Sequence, residues 1–324
     1  MMVVFFIGIG AACILTGLAR TPFQIAVALT MIGAFAAIYH PVGIAMLVGG
    51  RENVGRVLGI NGVAGNLGVA FAALATAGLA DAIHWRAAFI VPGAIAIAAG
   101  IGFAFMVPKS AGASGRKTAS YTPGLTQDVI RRVFCVLLFA TVFGGLIFNA
   151  TTIAMPKVFD ERLVALTQTT VGIGVILSVV YMLAALAQLC VGYLIDRHPL
   201  KAILVTVAAF QVPLLFLAGT MEGIAMVMIA VAMMFVVFGQ IPINDAMVAK
   251  YTDERWRSRA YAARYVITFG AAAAAVPLVA YLHDETGGFE RIFVVLAVFA
   301  AGTLLAALGL PNRRRVAAVR PESS

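Results

Sequence analysis

The sequence predicts an all-α protein that crosses a membrane about ten times, in two bundles of four and six helices. Composition, the spacing of the charges and the sorting of the basic residues all lead to this prediction. Hydrophobic residues make up 62% of the 324 residues and charged residues only 11%, whereas a soluble domain carries about 25% charged residues. A soluble chain of this length would lack the polar surface that keeps it dispersed.

The spacing of the charges defines the spans. A helix needs about 20 apolar residues to cross roughly 30 Å of hydrocarbon, and every long interval between charges reaches about that length. The apolar residues run continuously instead of alternating, which excludes a transmembrane β-barrel. The predicted spans are residues 3–19, 21–50, 57–80, 87–108, 133–156, 163–195, 202–221, 223–244, 265–283 and 292–312.

The basic residues collect on one predicted side of the membrane. If the N-terminus lies in the cytoplasm, the outer loops receive only Arg20, Arg86, Lys157, Arg162 and Arg291 of the 23 Lys and Arg residues. The positive-inside rule therefore places both termini in the cytoplasm, and we expect a bacterial plasma (inner) membrane. The net charge of +9 then reflects the cytoplasmic face, and no nucleic-acid partner is expected.

A polar linker separates two predicted bundles that resemble each other. Residues 1–108 form the N-terminal bundle, 109–132 the cytoplasmic linker, and 133–324 the C-terminal bundle with a short cytoplasmic tail. Shifting the first bundle by 203 residues places Arg56 on Arg259, and Tyr39-His40-Pro41 on Pro242-Ile243-Asn244. Both arginines open a Gly/Ala-rich span. Such a parallel repeat predicts a pseudo-two-fold axis along the membrane normal, and it predicts six spans in each half.

One short turn carries the most specific motif. Gly192-Tyr-Leu-Ile-Asp-Arg-His-Pro-Leu-Lys-Ala-Ile-Leu204 resembles the G-x-L-x-D-R-x-G-R-K-x-x-L loop of the major facilitator superfamily of membrane transporters. The chain departs from that pattern at Pro199 and Leu200. The residues that we assign to the gate loop are Gly192, Asp196, Arg197 and Lys201. Asp196 can accept hydrogen bonds from a neighbouring helix N-terminus, whose dipole favours an anion.

The resemblance covers the whole chain and implies a function. It implies a secondary active transporter that works by alternating access, with the gate loop as a latch on the cytoplasmic side; an ordinary polar turn is the alternative for that loop. The chain corresponds to the third to twelfth helices of the family. Within that family we expect proton-coupled efflux of a small molecule that the sequence does not identify. The stretch Tyr39 to Gly43 also resembles the fosmidomycin-resistance type of efflux protein.

Two alternatives to transport stay open. The family has six helices in its first bundle and a first gate loop that this chain does not contain. We therefore expect the chain as written to lack a complete transport path, as a truncated product would. The other alternative is a membrane-embedded enzyme or sensor on the same scaffold. No motif for catalysis, phosphate binding or metal ligation occurs, so we expect neither enzyme activity nor a cofactor nor a metal site.

Three ionisable residues lie near span interiors, where such groups are functional candidates. His40 is eleven residues from Arg51 and so about 16 Å from the inner membrane surface. It is either a proton carrier or a neutral residue bonded to a carbonyl that Pro41 leaves free. Asp245 is either a proton or ion-pair site or reaches interfacial water. Arg264 either pairs with Asp245 or extends to the cytoplasm.

Uncharged polar residues complete the set of candidates. Gln240 and Asn244 are four residues apart and share one helix face, and Asn149 lies in the middle of its span. We expect all three to line a cavity. Gln211 is expected to join helices through hydrogen bonds. The three cysteines, Cys13, Cys135 and Cys190, are expected to be small buried packing residues.

Overall fold

Helices occupy all ten predicted spans. The structure is a computed structural model that describes residues 1–49, 51–106 and 127–310. Its α-helices are α1 Met2–Leu18, α2 Pro22–Ala36, α3 Ile44–Val48, α4 Val54–Ala82, α5 Ala87–Met106, α6 Gln127–Arg162, α7 Thr170–Arg197, α8 Leu200–Ala218, α9 Gly223–Tyr251, α10 Glu254–Thr286 and α11 Glu290–Leu308. A π-helical segment, Tyr39–Gly43, joins α2 to α3 within one span.

The apolar character of these helices confirms the all-α membrane fold. Among the described residues, eight helical segments are long and apolar enough to cross a membrane, including the combined segment Pro22–Val48. The shorter apolar helix α1 has 17 residues, and α4 has 29. The chain is therefore an integral, multi-pass membrane protein.

Two helices of the C-terminal bundle begin earlier than the charges suggest. The helix α10 starts at Glu254, where the Asp253 side chain caps it by accepting from the backbone N–H of Arg255. Its first turns carry charged residues, because a helix can continue through the headgroup region. Similarly, α6 starts at Gln127, within the predicted linker. The rest of that linker, residues 109–126, lies outside the described residues.

The two bundles contact each other at the end where α3 and α7 end and α4 and α8 begin. One buried apolar cluster there combines Ile44, Val48, Val54 and Leu58 of the N-terminal bundle with residues of α6 to α11. A second cluster, towards the opposite end, consists of residues of the C-terminal bundle as far as the structure describes the chain. At the first end α4 crosses α7 so closely that a Cβ at Gly192 would overlap the backbone carbonyl of Gly55. Small residues allow such close approach of membrane helices.

The helix bounds follow the internal repeat. An offset of 203 residues places Ala87 on Glu290, the first residues of α5 and α11, and Val48 on Tyr251, the last residues of α3 and α9.

The expectation that the three cysteines are buried was wrong in part: Cys135 and Cys190 are exposed at the surface of the protein, and Cys13 is half-buried. A small sulfur side chain is tolerated against lipid, so its apolar setting does not imply burial.

Candidate functional site

A cavity of about 430 Å³ lies between the two bundles. The π-helical segment, α3 and α4 supply its wall on the N-terminal side, and α6, α7, α9 and α10 supply the other. Its polar lining residues are Tyr39, His40, Asn61, Asn66, Thr141, Gln188, Gln240, Asn244, Asp245, Arg264, Tyr265 and Thr268. Ile44, Leu58, Phe148 and Val237 add apolar surface. A mainly apolar cavity with a few convergent polar groups is the usual form of a small-molecule site.

A buried ion pair forms part of the cavity wall. Arg264 donates from a terminal guanidinium nitrogen to the Asp245 carboxylate, and the two residues are 7% and 5% exposed. The Tyr265 hydroxyl lies 3.4 Å from the same carboxylate oxygen, and the Tyr261 hydroxyl donates to the backbone carbonyl of Asp245 at 2.8 Å. Arg264 is ten residues into α10, nearly three turns, although the predicted span begins only at residue 265. It therefore pairs with Asp245 and does not extend to the membrane surface.

His40 links the N-terminal bundle to this ion pair. Its ring stacks on that of Tyr265, with centroids 4.1 Å apart and an angle of 22° between the planes. The stretch around Pro41 is π-helical, a form that often marks functional positions inside helices. Nδ1 of His40 makes no hydrogen bond to the described residues, so the bond to a freed carbonyl does not occur at that atom.

The N-terminal wall of the cavity also carries a polar pair, but an uncharged one. The Tyr39 hydroxyl donates to Oδ1 of Asn61 at 2.5 Å. These two residues come from the π-helical segment and from α4, as Asp245 and Arg264 come from α9 and α10. The side chain of Asn66, five residues further along α4, makes no hydrogen bond with the residues that the structure describes.

Amide side chains tie α9 to its neighbours. Gln211 of α8 donates to Oε1 of Gln240 at 2.9 Å, and Gln240 donates to the backbone carbonyl of Ala140 at 3.2 Å. Asn244 lies 3.5 Å from the same carbonyl. Gln211 thus joins helices, as predicted. These contacts hold α9 against α6 and α8 and so fix the rotation of the helix that carries Asp245.

Asp196 of the gate loop connects the two bundles at the end where α7 ends and α4 begins. Both carboxylate oxygens of Asp196, at the end of α7, accept backbone N–H groups at the start of α4, from Gly55 at 2.7 Å and from Arg56 at 2.8 Å. The contact to a helix N-terminus that the sequence allowed is therefore present. Next to it, Lys250 at the end of α9 donates to the Ile195 carbonyl at 3.0 Å.

The two basic residues of the gate loop make contacts within the C-terminal bundle. The Arg197 guanidinium lies 3.9 Å from the centre of the Tyr193 ring. Nζ of Lys201 donates to the carbonyls of Leu308 and Leu310 at 2.7 and 2.8 Å, at the C-terminal end of α11. A cation suits that position because the last carbonyls of a helix carry partial negative charge.

Five of the six candidate cavity residues meet in one place. These are His40, Gln240, Asn244, Asp245 and Arg264, from three separate elements. Asn149 is not part of this lining, because its amide donates to the carbonyl of Gly145 in its own helix at 2.8 Å. A mid-span polar residue can satisfy itself in this way, and the sequence does not distinguish the two cases.

Several lining residues were not found from the sequence. Asn61 lies 203 residues before Arg264, so the repeat carried a signal for it that was not used. Gln188 is a polar residue in the middle of α7, 1% exposed, and its position gave a second signal. Tyr265 and Thr268 follow Arg264 on α10, but aromatic and hydroxyl residues are too common in spans to stand out.

Two helical bundles around a central cavity that carries a few convergent polar groups, closed at one end, are the architecture of many membrane transporters. The family model of the Major Facilitator Superfamily matches residues 1–170 and again 137–324, so the two matches together span the chain. The chain belongs to the major facilitator superfamily. No curated protein sequence matches it significantly.

Solved structures share the fold at low sequence identity. A variant of the E. coli fucose:proton symporter FucP superposes with a TM-score of 0.73 at 13% identity, over 96% of this chain and 82% of that one. The human organic anion transporter MFSD10 gives 0.67 at 18% identity, over 96% and 76%. The proton:xylose symporter XylE gives 0.66 at 14% identity, over 96% and 79%.

Proposed function

We propose that this chain is a proton-coupled secondary transporter whose two bundles rock about the central cavity to carry a small molecule. The observation that carries the proposal is the Asp245–Arg264 pair in the cavity wall, in contact through Tyr265 with His40 of the opposite bundle. The free energy of protonating a group at the bundle interface depends both on whether the substrate is bound and on how the bundles are arranged. Coupling of proton movement to substrate movement requires this dependence.

Asp245 is the group to which we assign the proton. It is the sole carboxylate in the described cavity lining, and intramembrane carboxylates mark proton relays in transporters. Protonation removes the attraction between Asp245 and Arg264, so the pair exists in two arrangements of different energy. His40 lies beside the pair on the opposite bundle, and its imidazole is a second group there that can exchange a proton.

The gate loop supports the alternating-access part of the proposal. Asp196 holds the α4 N-terminus through two charge-assisted hydrogen bonds, a strong class of contact, and it does so between bundles that must separate for the cavity to open at that end. The positive-inside rule assigns that end to the cytoplasm. The described state is then one in which the cytoplasmic gate is closed.

Liposomes that contain the purified chain test the coupling. An imposed pH gradient should drive saturable accumulation of at least one solute from a panel of radiolabelled sugars, organic acids and amines. Asp245→Asn should abolish accumulation but keep exchange of internal for external solute, because exchange needs no net proton movement. The control is Asp284→Asn, an exposed carboxylate at the far end of α10, which should accumulate as the parent does.

Each departure from this pattern has a distinct meaning. Saturable flux that ignores the pH gradient contradicts the proton coupling and leaves transport standing. Absence of saturable flux for every solute contradicts transport. Inside-out membrane vesicles then give the direction of transport. Their interior corresponds to the outside of the cell, so accumulation of the solute in vesicles with an acidic interior identifies export.

Reporter fusions test the orientation of the chain. A reporter that is active only in the cytoplasm should be active when fused after Ser324, and inactive when fused after Asp160, at the opposite end of α6. The physical reason is the excess of Lys and Arg on the side of the termini. The opposite pattern of activity would overturn the assignment of the gate loop to the cytoplasm.

A further inference from the structure

The Asp245–Arg264 pair poses a question of charge balance. An arginine side chain stays charged under all ordinary conditions, and Arg264 is 7% exposed. When Asp245 accepts a proton, the guanidinium loses its counter-charge in a buried place. An uncompensated buried charge is strongly unfavourable, so a proton on Asp245 creates a demand for another anion beside Arg264.

We propose that Arg264 binds the carboxylate of a small organic anion, which takes the place of Asp245 when that residue carries a proton. The proposal rests on the transport function given above and specifies its substrate class. Proton and anion enter together, so the loaded cavity has the same net charge as the empty one. A neutral solute would leave the charge of Arg264 unbalanced, and a cationic solute would add to it.

The guanidinium has donors to spare for this purpose. One terminal nitrogen of Arg264 donates to Asp245, while Nε is buried and has no hydrogen-bond partner among the described residues. Arg264 also lines the cavity. The planar guanidinium offers five N–H groups and binds carboxylates through two of them at once. The arrangement therefore provides an unused donor on a nine-tenths buried cation at the cavity wall.

The other lining groups suit the body of an organic acid. Phe148, Ile44 and Val237 provide apolar surface, and Asn61 and Asn66 provide neutral hydrogen-bonding groups. A volume of about 430 Å³ accommodates a molecule of several to a dozen or more non-hydrogen atoms. Inorganic anions would leave this apolar surface without a partner.

The groups that face Asp245 are consistent with a single exchanged proton. Arg264, Tyr261 and Tyr265 face it from α10, and Tyr39 and His40 lie beside it on the π-helical segment. The described lining residues of α4, α6 and α7 are uncharged. The proton comes from water on the open side, binds a carboxylate oxygen of Asp245, and returns to water on the other side. Only that O–H bond forms and breaks.

The first test measures protons and anions together on the purified chain. The probes are benzoate and L-lactate, with D-mannitol as the neutral control and choline as the cationic one. Binding of either acid anion should take up about one proton from a weakly buffered solution, and its affinity should fall about tenfold per pH unit once Asp245 is deprotonated. Mannitol and choline should not bind.

Variants separate the role of Arg264 from folding. Asp245→Asn mimics the protonated residue, so it should bind the anions without proton uptake and without the pH dependence. Its thermal unfolding temperature should rise more with benzoate than that of the parent does. Arg264→Lys should weaken anion binding about 10- to 100-fold, the loss expected for charged hydrogen bonds. Arg291→Lys, an exposed arginine of α11, is the matched control.

Several results would overturn the proposal. Saturable mannitol or choline transport without transport of either acid contradicts the substrate class but leaves proton-coupled transport standing. Anion binding by the parent without proton uptake contradicts the exchange of partners. If Asp245→Asn does not fold, the proton count on the parent still decides. If none of the probes binds or is transported, the substrate class fails, and the wider solute panel then decides whether transport fails with it.

Discussion

The two bundles place equivalent helix pairs against one cavity but give them different chemistry. By the offset of 203 residues, Asn61 of α4 corresponds to Arg264 of α10. Asn61 accepts a neutral hydrogen bond from Tyr39, whereas Arg264 forms an ion pair with Asp245. The same framework therefore holds an uncharged contact on one side and a charged contact on the other.

The neutral and the charged contact differ in how much free energy is lost when one partner is removed. A neutral hydrogen bond contributes about 0.5–1.5 kcal/mol net and can be replaced by water. Removing one member of a buried ion pair costs about 3–5 kcal/mol, because the other charge stays behind. We infer that the C-terminal bundle contains the switch and that the N-terminal bundle supplies the surface against which it moves.

The largest effect is expected at the charged contact. Arg264→Gln should lower the free energy of unfolding by about 3–5 kcal/mol, because Asp245 is then buried without a cation. Thermal unfolding in detergent measures this, with Arg291→Gln as the control at an exposed arginine. The double variant Asp245→Asn/Arg264→Gln should recover most of the loss, because no charge is left unpaired. If the single and the double variant lose the same free energy of unfolding, the loss comes from packing and not from an unpaired charge.

A smaller effect is expected where the bundles touch at the gate. Asp196→Asn keeps the shape of the side chain but removes its charge, which weakens both hydrogen bonds to α4. The equilibrium should shift about tenfold or more towards the open gate, as a loss of roughly 1.4 kcal/mol or more implies. A cysteine introduced as Leu58→Cys, in a chain whose native cysteines are replaced by Ser, should then react faster with a maleimide.

The control for the gate is a carboxylate that caps its own helix. Asp253 accepts from the backbone N–H of Arg255 within α10, and so it lies at the same membrane side without joining the bundles. Asp253→Asn should leave the reactivity at position 58 unchanged. If both variants raise reactivity equally, Asp196 acts as an ordinary helix cap and the gate assignment fails.

The smallest effect is expected at the uncharged contact. Tyr39→Phe removes one neutral hydrogen bond and should lower the free energy of unfolding by about 0.5–1.5 kcal/mol. Proton-driven accumulation should persist, with a change of a few fold in apparent affinity. Arg264→Gln is measured under the same conditions. If Tyr39→Phe loses as much free energy of unfolding as Arg264→Gln does, the contrast between the two bundles does not hold.

Much of the fold was predictable because the bilayer leaves so little choice. Backbone groups in hydrocarbon must bond within a helix, so the charges mark where helices leave the membrane, and all ten spans appeared. The start of α10 at Glu254 was not predicted, because a helix that continues into the headgroups can carry charges. The π-helical segment at Tyr39–Gly43 was not predicted either, although Pro41 marks the disturbance.

The site was predictable only where its partners lie close along the chain. Asp245 and Arg264 are near in sequence on adjacent helices, and their pairing was one of two stated alternatives. The stacking of His40 on Tyr265 joins residues from opposite bundles, so it depends on how the bundles dock. The sequence pattern within one span holds no information on how the two bundles pack against each other. The resemblance of residues 39–43 to fosmidomycin-resistance proteins stays a prediction.

The Asp196 contact has a consequence for how this chain tolerates mutation. Its partners are the backbone N–H groups of Gly55 and Arg56, and every amino acid except proline supplies such a group. At position 56, sequence drift can therefore change the side chain freely and still leave the donor in place. At position 196 hardly any residue other than aspartate reaches both donors with a negative charge. The two sides of one contact should thus diverge at very different rates among descendants of this sequence.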